Sequence, residues 1–268
     1  MAVNPHTAAA IAQVAAYAPM APITTYLMIR NWRWRPRTAW YPPAAFSAIR
    51  LAGGVLTIIE QQNQSNRTLI ITTIVLLNIG LIPLLLTLLG YARLVLENNF
   101  GDYKRVKLFL LTLKISLLAA AGLLGAAGGY AGQPESANLQ STLSKAAYAL
   151  FSLVLAALIA SFIGLSLNQR GINPAHRLYV TWGLVSTLPL CVRAAYGIIG
   201  VAVASGTNML TSTWSPLFGS ATAFGLMGLL PEYIVLCIYV CLSTHHLRAA
   251  KREEVVERRT KHRSSDVS

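Results

Sequence analysis

Seven long apolar segments separated by short charged loops constrain the fold of this chain more than any other feature. They cover residues 8–28, 40–60, 68–92, 108–131, 146–167, 178–203 and 218–243. Each has the ~20 residues that an α-helix needs to cross a hydrocarbon core of about 30 Å. Inside hydrocarbon only helices and closed barrels satisfy every backbone group, and barrel strands are alternating segments of about 10 residues. The sequence therefore predicts an all-α, polytopic transmembrane bundle of seven helices.

Charged residues are scarce and grouped, which supports the same fold class. Asp, Glu, Lys and Arg make up 12% of the chain, about half the fraction usual in soluble domains. A net charge of +13 would suggest nucleic-acid binding in a soluble protein. Here the basic residues flank apolar segments, which is the pattern of a topology signal. We therefore predict membrane lipid as a partner and no nucleic acid.

The distribution of Lys and Arg predicts the orientation of the bundle. Seventeen of the 22 lie in the tail and in the loops after the first, third and fifth segments, whereas the opposite loops contain Arg67 and Lys145. The positive-inside rule places the N-terminus outside and the tail in the cytosol. The predicted domains are a transmembrane domain over residues 1–243 and a basic cytosolic tail over residues 244–268. The predicted location is the plasma membrane or another membrane of the secretory pathway.

Two N-glycosylation motifs fall in the loop between the second and third segments. Asn63 begins an Asn-Gln-Ser sequence and Asn66 begins an Asn-Arg-Thr sequence. Such motifs are modified on the outer side of the membrane, and the charge distribution places this loop there. They predict a glycoprotein with acceptors at Asn63 and Asn66, provided that the short loop lets the modifying enzyme reach them.

Three ionisable residues lie deep inside apolar segments. Arg50 and Glu232 are near the middle of the second and seventh segments, and Arg193 is on the sixth. A charge at the centre of a membrane helix costs about 2.5–3.5 kcal/mol on insertion scales, so we expect these side chains to face the bundle interior and to pair. We predict an Arg50–Glu232 pair, with Arg193 shared between Glu232 and Glu60. Tyr196 completes the predicted intramembrane polar cluster.

The cluster has two interpretations that the sequence leaves open. A buried salt bridge can fix the register of the helices, or a polar pocket can hold a ligand, ion or lipid headgroup. The second interpretation predicts a protein that binds or moves a lipid-like or amphipathic small molecule. The alternatives are a membrane-embedded enzyme of the cyclase type, with Glu232 as a buried acid, and a receptor-like sensor. No metal-site, cofactor or nucleophile motif is evident, so we predict no cofactor, no metal and no other catalytic residue.

Glycine positions predict where helices approach one another closely, because a missing side chain lets backbones meet. The predicted contact positions are in the second, fourth and seventh segments: Gly53, Gly54, Gly122, Gly125, Gly129, Gly225 and Gly228.

Short patterns inside four segments resemble those of a known family. They are FSAIRLAGG at 46–54, GLIPLLL at 80–86, LPLCVRAAY at 188–196 and MGLLPEY at 227–233. Over residues 8–243 the chain resembles a family of fungal seven-helix integral membrane proteins of unknown function. In layout it is also similar to the fungal lipid-translocating (RTA-like) proteins. The resemblance implies a fungal source and seven spans, but no established activity or site residues.

Overall fold

Long helices form the regular structure of the chain. The computed structural model describes residues 4–34, 36–62, 67–100, 104–130, 134–168, 172, 174–203, 214 and 219–265. Its α-helices are α1 (Pro5–Asn31), α2 (Tyr41–Gln62), α3 (Arg67–Ile79), α4 (Leu81–Phe100), α5 (Lys104–Gly129), α6 (Ala137–Leu167), α7 (Pro174–Val203), α8 (Ala221–Ala223) and α9 (Leu230–Ser265). Among the described residues, 3-10 turns lie at Arg37–Ala39 and Pro134–Ser136, and a π-helix lies at Phe224–Leu229. The predicted all-α class is confirmed.

Six stretches of the described chain are long and apolar enough to cross a bilayer. They are Arg37–Gln61, Thr68–Glu97, Lys104–Gly129, Ala137–Leu167, His176–Val203 and Ala221–Ala249. These stretches correspond to the second to seventh predicted segments. Their lengths of 25 to 31 residues exceed the ~20 that a bilayer crossing needs, which leaves room for tilt.

The helix α1 differs from the other predicted segments in composition. It has 27 residues, but it falls outside the six apolar stretches. On its buried face three polar side chains bond to other helices. Gln13 Nε2 donates to Arg50 O at 2.6 Å, Thr24 Oγ1 to Ser47 Oγ at 3.2 Å, and Asn31 Nδ2 to the carbonyl of Ser243. These polar residues thus attach α1 to α2 and α9.

The helix α4 runs through the middle of the bundle. It contacts α2, α5, α6, α7, α9 and the Arg37–Ala39 turn. Consecutive turns of α4 are therefore buried on all sides, including Leu84, Leu85, Leu88, Tyr91 and Val95, each 0% exposed. The helices α2, α5, α6, α7 and α9 therefore pack around α4.

The third predicted segment is two helices rather than one. Gly80 separates α3 from α4. Pro83 follows three residues later, and because proline has no amide hydrogen, it cannot donate to the carbonyl four residues before it. The break therefore has a local cause, and it lies inside an otherwise continuous apolar stretch.

The glycine prediction holds in α2 and is wrong in α5. A Cβ on Gly54 would lie 2.8 Å from Val14 Cγ2 of α1, so these helices do meet closely. A Cβ on Gly122, Gly125 or Gly129 would meet nothing within 4 Å, because these three residues lie on the exposed face of α5. Gly225 likewise faces open space, and Gly228 faces Phe224 of its own helix.

Gly90 gives a direct test of the packing around α4. A Cβ at this position would lie 2.6 Å from both the Cα and the N of Ala39, and a backbone cannot move aside as a side-chain tip can. We expect Gly90→Ala to destabilise the protein by about 1–3 kcal/mol through overpacking. The measurement is the melting temperature of the detergent-purified protein.

The matched control for Gly90 is Gly125→Ala on the open face of α5. Alanine is favoured over glycine in a helix by up to about 1 kcal/mol, so this variant should melt at or above the wild-type temperature. A Gly90→Ala protein that melted like Gly125→Ala would contradict the packing of α4 on the Arg37–Ala39 turn.

Candidate functional site

Arg50, Arg193 and Glu232 meet inside the bundle, and we call these three residues the ion centre. Arg50 Nη2 on α2 donates to Glu232 Oε1 on α9. Arg193 Nε on α7 donates to the same oxygen at 2.5 Å. Arg50 and Glu232 are 0% exposed and Arg193 is 1% exposed. Three helices that are far apart in sequence are thus joined at one carboxylate oxygen.

The ion centre carries an excess positive charge. Arginine remains protonated in proteins, so two guanidinium groups on one carboxylate leave a net charge of +1. Several of its buried polar atoms have no hydrogen-bond partner among the described residues: Arg50 Nε, Arg50 Nη1, Arg193 Nη1 and Glu232 Oε2. Buried polar atoms normally find partners, and an unpaired one costs about 1–3 kcal/mol. The centre therefore has guanidinium donors that no described residue uses.

The end of α3 completes one side of the ion centre. Arg193 Nη2 donates to the carbonyl of Leu77 at 3.4 Å. Tyr148 on α6 lies beside the Arg193 guanidinium, and its hydroxyl donates to Asn78 Oδ1 at 3.3 Å. Leu77 and Asn78 belong to the last turn of α3, the negative end of that helix dipole. This end partly compensates the positive charge of Arg193.

Gly80 makes the space that Arg50 occupies. A Cβ on Gly80 would lie 2.8 Å from Cζ and 2.9 Å from Nε of the Arg50 guanidinium. Real Cβ atoms essentially never approach a heavy atom this closely. The break between α3 and α4 therefore lies directly against the charged group, and the missing side chain of Gly80 leaves room for the guanidinium.

A second irregularity lies next to Glu232. The π-helix Phe224–Leu229 ends where α9 begins, two residues before Glu232. Pro231 has no amide hydrogen to donate to the carbonyl of Met227, which favours a change of hydrogen-bond pattern at this point. Short π-segments within α-helices frequently occur at functional sites. Arg50 and Glu232 are thus each positioned beside an interrupted helix.

Of the two other predicted members of the polar cluster, Tyr196 adjoins the ion centre and Glu60 does not. Glu60 is buried, but its Oε2 accepts from Gln61 Nε2 at 3.0 Å, and in the described chain Arg193 pairs with Glu232 alone. The predicted sharing of Arg193 with Glu60 is wrong, because ten residues of helix place Glu60 about 15 Å from Arg50 along α2. Tyr196 does adjoin the centre, with Arg193 Cζ 5.8 Å from its ring centroid. The predicted acceptors Asn63 and Asn66 lie outside the described residues.

Tyr17 is a neighbour of the ion centre that sequence reasoning missed. Its hydroxyl is buried without a partner among the described residues. Its ring packs edge-on against Phe46 and Tyr233, at 5.7 Å in both cases, and Arg50 Cζ lies 5.7 Å from the Phe46 ring. The available signal was its spacing of four residues from Gln13, which puts both on the buried face of α1.

A separate aromatic cluster holds α9 further along its length. The His246 ring stacks on Trp40 with centroids 4.6 Å apart. Tyr179 on α7 forms a hydrogen bond of 3.0 Å with His246 Nδ1. Fourteen residues of helix separate Glu232 from His246, which is about 21 Å. The helix α9 is therefore fixed at two points, one charged and one aromatic.

These features define the chain as a polytopic α-helical integral membrane protein with an ionised interior. The chain belongs to the family described as Domain of unknown function (DUF7702), whose profile matches residues 3–249. The matched region contains α1 and all three residues of the ion centre. Comparison with curated proteins and with solved structures gives no match.

Proposed function

We propose that this protein binds or moves an amphipathic small molecule, and that the ion centre receives an anionic headgroup of that molecule. The observation that carries the proposal is the buried net charge of +1 on Arg50, Arg193 and Glu232. Ionisable residues inside membrane segments most often mark ligand, ion or proton sites. An anion would neutralise the excess charge and could accept from the unpartnered Arg50 Nε and Nη1.

Entry of a ligand requires the helices around the ion centre to separate, because its three side chains are 0–1% exposed. The break at Gly80 and the π-helix Phe224–Leu229 supply two places where a helix can bend without losing a regular hydrogen-bond ladder. Discontinuous helices near the bilayer midplane are a recurring feature of substrate sites in transporters. In this proposal the structure is the closed form.

The proposed topology has α1 as a seventh span, the N-terminus outside and the tail in the cytosol. The Lys and Arg distribution supports this orientation, as do the motifs at Asn63 and Asn66. The proposed location is the plasma membrane or another membrane of the secretory pathway. A fungal source and a likeness to lipid-translocating proteins belong to the same proposal and point to a lipid-like ligand.

Binding is favoured over catalysis by the geometry of Glu232. Its Oε1 accepts hydrogen bonds from two guanidinium groups at once, and arginine side chains donate without accepting. A carboxylate held in this way acts as a counter-ion, whereas a catalytic acid must present a proton to its substrate. The cyclase-type alternative therefore has less support than ligand binding.

Three amphiphiles with similar tails test the headgroup proposal: oleate, oleyl alcohol and oleylamine. Only oleate should stabilise the protein in neutral detergent at pH 8. A ligand at 100 times its Kd stabilises by about 2.7 kcal/mol, which raises the melting temperature of a chain of this size by about 5 °C. The measurement is the melting temperature with each amphiphile.

The binding-site variant is Arg193→Gln, which leaves Arg50 and Glu232 as a neutral pair. It should lose the response to oleate, whereas the exposed Arg248→Gln on α9 should keep it. Equal stabilisation by all three amphiphiles, or a full oleate response in Arg193→Gln, would refute the ion centre as the headgroup site.

A further inference from the structure

A cleft of about 680 Å³ lies between α4 and α5 and is separate from the ion centre. Its volume falls within the range of small-molecule sites, about 300–1,000 Å³. Three cations line it: Arg93 of α4 and Lys107 and Lys114 of α5. The one acidic group among its lining residues, Glu97, accepts from Arg93 Nε at 2.9 Å. The cleft therefore carries a net charge of +2.

The two lysines of the cleft reach it from one face of α5. Lys107 and Lys114 are seven residues apart, which is two helical turns. Lys107 is exposed and Lys114 is half-buried. Neither forms an ion pair among the described residues, whereas Arg93 is already bonded to Glu97. The lysines are thus the cations that remain available to an incoming anion.

The rest of the cleft is apolar apart from one hydroxyl. Leu89, Leu110 and Leu111 line it together with Thr38. The Thr38 Oγ1 atom is buried and has no hydrogen-bond partner among the described residues. An occupant that offers an anionic oxygen to the lysines and to Thr38, and an alkyl chain to the leucines, would satisfy every part of this lining.

We propose that this cleft binds the phosphate headgroup of an anionic phospholipid. Phosphate oxygens satisfy lysine and threonine donors alike, and basic pockets between membrane helices commonly hold anionic headgroups. The surface beside the cleft favours a lipid over soluble phosphate. Leu111, which lines the cleft, is 51% exposed, and Leu108 and Ile115 on the same helix are 65% and 57% exposed. The acyl chains of a bound lipid would lie along this apolar face.

The distribution of Lys and Arg along the sequence places the cleft at the cytosolic end of the bundle, where anionic lipids are available. Arg93 and Lys107 flank the loop after the third predicted segment, which is one of the Lys- and Arg-rich loops. The Arg37–Ala39 turn, which supplies Thr38, packs against α4 at this same end. Anionic lipids attract basic residues at the cytosolic leaflet, so the site and the orientation proposed above agree.

Native mass spectrometry of the full-length protein in neutral detergent tests the proposal. The probes are dioleoyl phosphatidylglycerol, which is anionic, and dioleoyl phosphatidylcholine, which is zwitterionic. The wild type should retain phosphatidylglycerol preferentially. In Lys107→Gln/Lys114→Gln the affinity for phosphatidylglycerol should fall by about 20-fold, since each basic residue near an anionic lipid contributes several-fold.

Three further variants make the result specific. Lys104→Gln/Arg177→Gln removes the same charge from exposed positions outside the cleft, and its affinity should change by less than about threefold. Lys107→Arg/Lys114→Arg keeps the charge and should retain binding. Arg193→Gln should also retain phosphatidylglycerol, because the ion centre is a different site. All variants are compared by melting temperature, so that a loss of binding is not confused with unfolding.

Four outcomes would overturn the proposal. Equal binding of the two lipids would show that headgroup charge is not recognised. An equal loss in Lys104→Gln/Arg177→Gln would reduce the effect to general surface charge. A loss in Arg193→Gln would place the lipid at the ion centre. Displacement of phosphatidylglycerol by excess inorganic phosphate would identify free phosphate as the occupant. The third outcome would support the ion centre as the headgroup site while removing this proposal, and the other three leave the oleate test unchanged, so this proposal and the proposed function fail separately.

Discussion

Replacement of Glu232 by Gln should remove most of the folded protein. Glutamine keeps the shape of the side chain but leaves Arg50 and Arg193 buried together without a counter-ion. Breaking a buried ion pair by removing one partner costs about 3–5 kcal/mol, a large fraction of the 5–15 kcal/mol that stabilises a typical domain. The measurement is the yield of monodisperse protein in size-exclusion chromatography in detergent. The melting temperature of the recovered protein is measured as well.

The arginine variants are the matched controls for Glu232→Gln. Arg50→Gln or Arg193→Gln leaves one cation and one anion, so each should cost less than Glu232→Gln. The double variant Arg50→Gln/Glu232→Gln leaves only one unpaired cation and should be more stable than Glu232→Gln alone. If the double variant were no better than Glu232→Gln, the two arginines would not be acting as uncompensated charges.

Gly80→Ala is expected to disrupt the Arg50–Glu232 ion pair of the ion centre without changing any charged residue. The added Cβ would lie within 2.9 Å of Arg50 Nε, so the guanidinium must shift from the position in which it contacts Glu232. Because the head of Arg50 is fully buried, displacing it breaks a buried pair, and we expect a loss approaching 3–5 kcal/mol. Without the clash, replacing a glycine by alanine would instead stabilise the protein by about 0.4–1 kcal/mol, because the unfolded chain loses conformational freedom. The melting temperature decides between these opposite signs.

A double-mutant cycle identifies the partner of the added methyl group. In the Arg50→Gln background the guanidinium is absent, so Gly80→Ala should cost much less than it does in the wild type. Residues in contact show such non-additivity, whereas distant ones do not. Gly125→Ala, with open space around its Cβ, should have the same small effect in both backgrounds. If Gly80→Ala destabilised the wild type and the Arg50→Gln variant equally, Gly80 would not contact Arg50, and α3 and α4 would be arranged differently.

The sequence predicted how deep each buried charged residue lies in the membrane segment. It did not predict on which face of the helix the residue lies. Counting residues from the segment ends put Arg50 and Glu232 at similar depths, and the two do meet. The same counting suggested Glu60 as a partner of Arg193, which it is not. In a membrane, depth follows from residue number and rise per residue, whereas the facing side depends on how neighbouring helices pack.

The wrong glycine assignment in α5 has a related cause. In a soluble helix the alternation of polar and apolar residues marks the buried face. Lipid is as apolar as the protein interior, so in α5 nothing distinguishes the outward Gly122 and Gly125 from the inward Leu124. In α1 the opposite holds, since Gln13 and Thr24 lie inward. Polar residues, where they occur, are thus the better guide to the inner face of these helices.

The unbroken course of α9 joins the ion centre to the basic C-terminal segment. This helix runs from Leu230 to Ser265 in one piece, while the irregular turn lies only on the opposite side of Glu232. A rigid rod that is turned at Glu232 must turn at His246 as well, where it would slide across Trp40. A rotation of α9 about its axis that displaced Glu232 would therefore also displace His246 from Trp40, about 21 Å away along the helix.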